Sequence, residues 1–434
     1  GLLSTDGETR EIRVDGDVTL AGGVWTHQQT PSLTSASAGW IDGRGVYRLV
    51  ARVGGDLQIG AGAAIDVSTN GFAAYQGPGY FGGGGYGAAH GGLGGSYWES
   101  YAVHVNRRFT YGSVKAPRTI GSGSNSRGGG GIELTVSGKT VLEGGLRANG
   151  QTYFYYCGAG GGIFLVTGSL EGAGAIQARG GIGTTAGSAG GGRIAVVLTD
   201  PGATFGAYTG DVSAAQGNAN RSYAGTVYLE TPADAGKGTL LVKGVGSMDL
   251  GQRGFATPLE NPADDYAFGT IILTNSAILG IGSNCTVRAD RIVGTGSEVS
   301  VVALFGGALE LPDRYVLTNC SVRAWQQGSV LRSAAGEAGT VAVGPTAHLV
   351  VDTPVSFPGA LHVLAGGIVR HTGSNDADYG YRLNLAVPRL TVDAGGQITA
   401  TGYGYATAKV PGAPLNVGLT VRAGSHAGLA HDVG

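Results

Sequence analysis

Charge is scarce in this sequence: only 13% of its 434 residues are Asp, Glu, Lys or Arg, and 28 basic residues nearly balance 30 acidic ones. A phosphate-rich partner calls for a basic stripe, and the densest basic spot is the pair Arg107 and Arg108, read as a solvated loop. Nucleic acid is therefore not an expected partner. Cysteine is equally sparse. Cys157, Cys285 and Cys320 have neither metal-ligand spacing nor the density of a disulfide scaffold. With 14 prolines and no strict Gly-X-Y period, collagen is excluded. No apolar run approaches the roughly 18 residues that a membrane helix requires, so membrane insertion is not expected. Methionine occurs once, at Met248, and the first residue is Gly, which points to a processed chain or an excerpt of a longer one.

What is abundant is glycine, with 85 residues, beside a hydrophobic fraction of 42% that suffices for a core. The glycines fall into a pattern. Ile132, Ile163 and Ile194 each open a short alternating apolar segment, each follows a glycine run, and they lie 31 residues apart. Between them, Leu146-Arg147-Ala148-Asn149-Gly150 and Ile176-Gln177-Ala178-Arg179-Gly180 form a second pair of segments 30 residues apart. Alternation at period two marks strands with one buried face, and equal spacing of like strands predicts that they stack in register. One such coil cannot bury its own apolar face, whereas several stacked coils can. The expected fold is all-β: a right-handed parallel β-helix, or solenoid, its hand taken from the general rule for parallel crossovers. Glycine runs such as 82–85, having no side chain to bury, are expected to be ordered excursions of polyproline-II type whose backbone groups pair with neighbouring segments.

Composition divides the chain into four stretches. Residues 1–76 read as N-terminal solenoid coils, 77–200 as the glycine-rich section with the 31-residue period, and 201–360 as plainer coils with little poly-glycine. In the plainer stretch, Asn284-Cys285-Thr286-Val287-Arg288-Ala289 recurs as Asn319-Cys320-Ser321-Val322-Arg323-Ala324, which suggests comparable positions on nearby coils and buried, unbridged thiols. Residues 361–434 read as the start of a second unit repeating about 18–93. Leu20 to His27 returns as Leu364 to His371, Tyr47-Arg48-Leu49 as Tyr381-Arg382-Leu383, Ile65 as Ile398, and His90 as His426.

The succession Gly77-Pro78-Gly79, Ala88-Ala89-His90-Gly91-Gly92-Leu93-Gly94-Gly95, Tyr111-Gly112-Ser113, Ala116-Pro117 and Gly121-Ser122-Gly123 resembles the glycine-rich repeat segments of very large secreted bacterial cell-surface proteins of adhesin or fibre type. So do the strands ending in Gly190-Gly191-Gly192-Arg193-Ile194-Ala195-Val196. The resemblance covers 17–198 and again 361–426. It implies an extracellular or cell-surface location and an adhesive or matrix role, and it carries over no catalytic residue. The stretch 239–360 falls outside it.

Motifs with chemistry are few. Ser137-Gly138-Lys139-Thr140 looks like the end of a phosphate-binding loop, but Glu133 stands where the leading glycine belongs. Polysaccharide cleavage on a parallel scaffold needs converging carboxylates, and Asp264-Asp265, Asp313, and Asp376 with Asp378 sit in separate loops. No catalytic, cofactor-binding or metal-ligating residue is assigned, and no cofactor is expected. The candidates for assembly or ligand contact are the aromatics Tyr80, Phe81, Tyr97, Trp98, Tyr153, Phe154, Tyr155 and Tyr156, with His90 and His426. The aromatics are read first as subunit contacts or as caps that shield glycine segments from water, and then as glycan contacts; the recurring histidines, His27 with His371 and His90 with His426, are read first as structural, their rings bonding glycine-loop backbone. The expected function is a structural subunit of an extracellular filament, joined head to tail to copies of itself. The alternatives are a carbohydrate-binding adhesin contacting surface glycans and a polysaccharide-cleaving enzyme.

Overall fold

The computed structural model of the chain describes residues 11–32, 47–80, 86–95, 110–184, 187–218, 222–245, 256–372 and 383–401. These residues are nearly all β, with no α-helix among them, and the sheets are parallel except at one seam. The two sequence periods are the strand register: Ile132 lies beside Ile163, Ile163 beside Ile194, and Leu146 beside Ile176.

Three parallel ladders succeed one another along the first half of the chain. The first joins Ile12–Val14, Leu49–Val53, the start of Gly131–Leu142, the start of Gly162–Glu171, Arg193–Leu198 and Thr226–Glu230. The second stacks the start of Val18–Trp25 on the start of Leu57–Asp66 and then on Thr140 to Leu142. The third continues the same strands through Ala64 to Asp66, Gly145–Arg147, Ala175–Gln177 and Val212–Ser213. Alternate residues such as Leu134, Leu165, Val196 and Val227 form one buried core running from Val18 to Val227. This core crosses the composition boundaries at 76 and 200, because burial follows the ladders and not the glycine content.

Between Glu230 and Thr239 two things change together. Thr239–Lys243 pairs antiparallel with Thr226–Glu230, Val227 lying beside Leu241 and Tyr228 beside Leu240. Val227 belongs to the first core, while Tyr228, Leu240 and Val242 belong to the second, so the buried side of the continuous sheet also switches. Beyond the seam three ladders are again parallel, ending in Leu385–Ala386, Arg389–Val392 and Gln397–Thr399.

The expected equivalence of Cys285 and Cys320 is corrected by this topology. Cys285 precedes Thr286–Gly294, which pairs with Ala308–Leu311, whereas Cys320 precedes Ser321–Gln326, on a different ladder that pairs with His348–Val351. What recurs is a corner and not a coil position. Asn284 and Asn319 both take a left-handed backbone, which asparagine tolerates, and each turns the chain so that the next cysteine is buried as a free thiol.

Among the described residues the glycine runs lie in excursions that leave after the third ladder and re-enter at the first, within 67–130, 148–161, 178–192 and 214–225; the run 82–85 lies outside the described residues. These excursions stack on one another. Gly129 donates to the Ala159 carbonyl at 2.9 Å, Gly160 to Gly190 at 3.1 Å, and Gly191 to Tyr223 at 3.0 Å. Residues 88–92 of the longest excursion add a further layer through Gly190 N–H to Ala88 O and Gly91 N–H to Gly191 O. The backbones approach so closely that a Cβ on Gly160, Gly161, Gly191 or Gly192 would sit on a carbonyl oxygen of a neighbouring segment. Only glycine permits that contact, which also allows Cα–H to carbonyl interaction.

A prediction follows from this packing. Gly191→Ala, whose methyl meets the Ala214 carbonyl, is expected to destabilise the fold by about 3 kcal/mol or more through overpacking. Gly16→Ala, with open space around it, is expected to leave the thermal midpoint nearly unchanged. Parallel thermal melts of the two variants check the difference.

Candidate contact surface

The segment Tyr153 to Tyr156 is the tip of the excursion between Arg147 and Gly162. Its base is closed by Cys157, whose sulfur accepts from the Tyr153 N–H at 3.3 Å and lies 3.5 Å from the Tyr153 carbonyl. Burial pushes the Cys157 thiol up to about 11, which leaves it protonated and inert at neutral pH. Thr184 of the next excursion donates its hydroxyl to the Phe154 carbonyl, so the tip is tethered to its neighbour.

Beyond that tether the rings face outward. Tyr153, Phe154 and Tyr155 are 47%, 54% and 48% exposed, with Phe154 and Tyr155 edge to face at 4.7 Å. Ile182, on the adjacent excursion, is also exposed.

Tyr80 lies on the same lattice. Its ring packs edge to face on Tyr75 at 5.8 Å, and burial beside Tyr75 raises its hydroxyl above the usual range. Tyr75 donates its N–H to the Ser124 carbonyl and Asn125 donates to the Tyr156 carbonyl, which ties the two aromatic groups to one excursion segment. Tyr75, 56% exposed and with a left-handed backbone, is a surface residue that the sequence reading missed. The signal available was its place one residue ahead of the Gln76-Gly77-Pro78-Gly79 turn. Phe81, Tyr97, Trp98 and His426 lie outside the described residues, as do Arg107, Arg108, Asp376 and Asp378.

His90 is corrected as a contact residue, because it has no exposed surface. Its Nδ1 lies 2.7 Å from the Gly160 carbonyl, which can only accept, so Nδ1 carries the proton. Nε2 then accepts from the Thr119 hydroxyl at 2.8 Å, and the ring packs against Tyr111 in a tilted arrangement. His27 follows the same plan, donating to the Gln28 carbonyl and accepting from the Gly131 N–H. Burial, reinforced at His90 by nearby Arg193, lowers the imidazolium pKa to about 3 at His90 and about 4 at His27. Both histidines are neutral cross-braces between excursion and coil.

An open cleft of about 520 Å³ lies beside the tip, lined among others by Arg179, Ile182, Gln216, Lys243 and Asn275. No carboxylate lines it. Arg179 is engaged by Asp211 at 2.5 Å. The acids considered for sugar cleavage stand apart: Asp265 pairs with Lys115 at 2.7 Å, Asp264 accepts from Asn261, and Asp313 accepts the Thr340 N–H. Lys139 of the phosphate-loop look-alike lies within a strand and pairs with Glu171. Among the described residues no His, Cys, Asp and Glu cluster could hold a metal, and no helix is long and apolar enough to cross a membrane. No protein-family model, curated protein or solved structure matches this chain.

The braces generate a pH prediction. A histidine whose pKa is lowered on folding leaves the unfolded chain binding more protons between the folded value and 6.5, so stability falls as pH drops through that window. Glu298, held down to about 2 chiefly by His348 and by Arg323 and Arg370, contributes stability above its unfolded value of 4.5 that is lost as pH falls toward 2. Thermal midpoints are therefore expected to decline as pH falls from 6.5, the His27 part ending near pH 4 and the His90 part near pH 3, with the loss at Glu298 added below pH 4.5. Replacing Glu298 by Gln is expected to lessen only the decline below pH 4.5, which melts across a pH series would read.

Proposed function

We propose that this chain is a structural subunit of an extracellular filament or cell-surface fibre, and not an enzyme. Its architecture on this reading is a right-handed parallel β-helix with ordered glycine-rich excursions of polyproline-II type. The observation that carries the reading is the continuity of backbone pairing, in which described strands stack in register from Gly131 to Glu230 and the glycine excursions between them pair with one another. Such a body resists extension through many parallel hydrogen bonds and apolar columns that do not depend on salt. The sparse, balanced charge fits a self-associating partner better than a polyanion. No cofactor enters the reading.

The second reading is a carbohydrate-binding adhesin. Three exposed rings at the Tyr153 to Tyr155 tip favour it, since ring faces stack on sugars, and the adjoining cleft brings Arg179 and Lys243 close. A polysaccharide-cleaving enzyme has no comparable support.

Electron microscopy of the purified protein at neutral pH is the test, and long uniform filaments are the expected outcome. Dispersed monomers would overturn the filament reading. The triple variant Tyr153→Ala, Phe154→Ala, Tyr155→Ala is expected to remain folded and to lose side-by-side association of filaments. Loss of binding on a glycan array, with association unchanged, would favour the adhesin instead.

A further inference from the structure

The last coil described in the chain is a second copy of an earlier one, and the two copies differ in what covers them. Leu49, Leu57, Ile59 and Ile65 correspond to Leu383, Leu390, Val392 and Ile398. The correspondence extends to pairing: Trp25 lies beside Ile65 as its counterpart Val369 lies beside Ile398. In the earlier coil Leu57, Ile59 and Ile65 are fully buried because Thr140, Leu142 and Leu146 stack on them in parallel. In the later coil Leu390, Val392 and Ile398 are 45%, 44% and 38% exposed, although each continues a buried column through Leu361, Val363 and Val369.

At the opposite end, Ile12–Val14 and Val18–Trp25 are paired on one side only among the described residues. This coil has the same three-sided plan, its straight segments lying beneath those of the coil that Leu383 to Thr399 repeats. Ile12, Val14, Leu20 and Trp25 are half-buried at the edge of the first core. The sense of winding also matches. At the seam both the strand direction and the buried side reverse, and the two reversals cancel.

We infer that the coil Ile12 to Trp25 of a second copy of this chain seats on the coil Leu385 to Thr399, joining the two apolar cores. The inference rests on the filament reading and names its contact. The repeat fixes the register: Val18 over Leu390, Thr19 over Thr391 and Leu20 over Val392. It also sets Asp17 opposite Arg389, a pair of opposite charge at exposed positions. Parallel neighbours lie about 4.8 Å apart, within the Cα separation of about 4.4–6.8 Å that a disulfide spans.

The test is the double variant Thr19→Cys, Thr391→Cys in the full chain, oxidised under assembly conditions. Both positions are exposed, and the three native cysteines are buried. A ladder of covalent multimers on non-reducing gels is expected, with neither single variant extending beyond dimers. Leu390→Lys, which leaves the rest of the column in place, is expected to reduce multimers at least tenfold while the circular dichroism spectrum is retained. Filaments by microscopy without a covalent ladder would overturn the end contact and leave the filament reading standing; monodisperse monomers would overturn both. A thiol at position 391 that is unreactive toward a maleimide in monomeric protein would show that the same chain covers the coil, which also overturns docking.

Discussion

A buried peptide group must find a hydrogen-bond partner, and among the described residues the strands find theirs in neighbouring parallel strands and the glycine excursions in neighbouring excursions. That requirement sets one spacing for the strands and for the segments attached to them. Strands meet it through parallel ladders, in which side chains alternate between core and surface. The excursions meet it without side chains. They leave after the third ladder, and their described amides pair with neighbouring excursions, so their backbones are pressed closely together. Glycine at these positions is a consequence of spacing. Its large conformational cost on ordering is offset by hydrogen bonds and close backbone contacts that no other residue could make.

The seam shows how the constraint tolerates a change of direction. Thr226–Glu230 and Thr239–Lys243 continue the sheet through an antiparallel pair, Val227 beside Leu241, Tyr228 beside Leu240 and Leu229 beside Thr239. The turn between them is tied locally. Asp234 accepts from both the N–H and the hydroxyl of Thr231, Ala235 and Gly236 take left-handed backbones, and Gly238 donates to the Tyr228 hydroxyl. Phe164, Ala195 and Tyr228, which point away from the first core, thereby become part of the second. One sheet serves two cores on opposite faces.

The period, the register and the stacking of like strands were legible because they depend on spacing alone: Ile132, Ile163 and Ile194 recur at the interval at which they pair. The histidine braces were legible in part, since recurrence after a strand marks His27 and His371, and both set Nδ1 against the carbonyl of the following residue. The structural reading of His90, a ring bonding glycine-loop backbone, is what its contact with the Gly160 carbonyl shows, and only its place among the contact candidates was wrong, because a histidine among glycines gives no sign of burial when the cover is backbone. The corner motif was misread for a related reason. Asn284-Cys285 and Asn319-Cys320 record how a chain turns, and the same turn leads into strands of different ladders. The seam left no trace, because Val227 with Leu241 and Tyr228 with Leu240 make both faces apolar, and alternation cannot say which side is inside.

Apart from the buried Arg193, Arg323 and Arg370, charge lies mainly on the surfaces that the ladders leave over. Glu310 lies between Arg288 and Arg332 of the coils on either side, at 3.3 and 2.8 Å, as the register Arg288, Glu310, Arg332 dictates. Glu133 likewise receives Arg48 and Arg118. These pairs are at least partly solvated and contribute little each, so they act mainly to favour the correct register over a slipped one. A one-residue slip would turn the apolar columns outward and set each arginine beside a residue without charge. Specificity thus lies in alternation and charge, while strength lies in the backbone. A chain arranged this way can be long, nearly neutral and still singly folded, and those are the properties that the proposed filament role requires of its subunit.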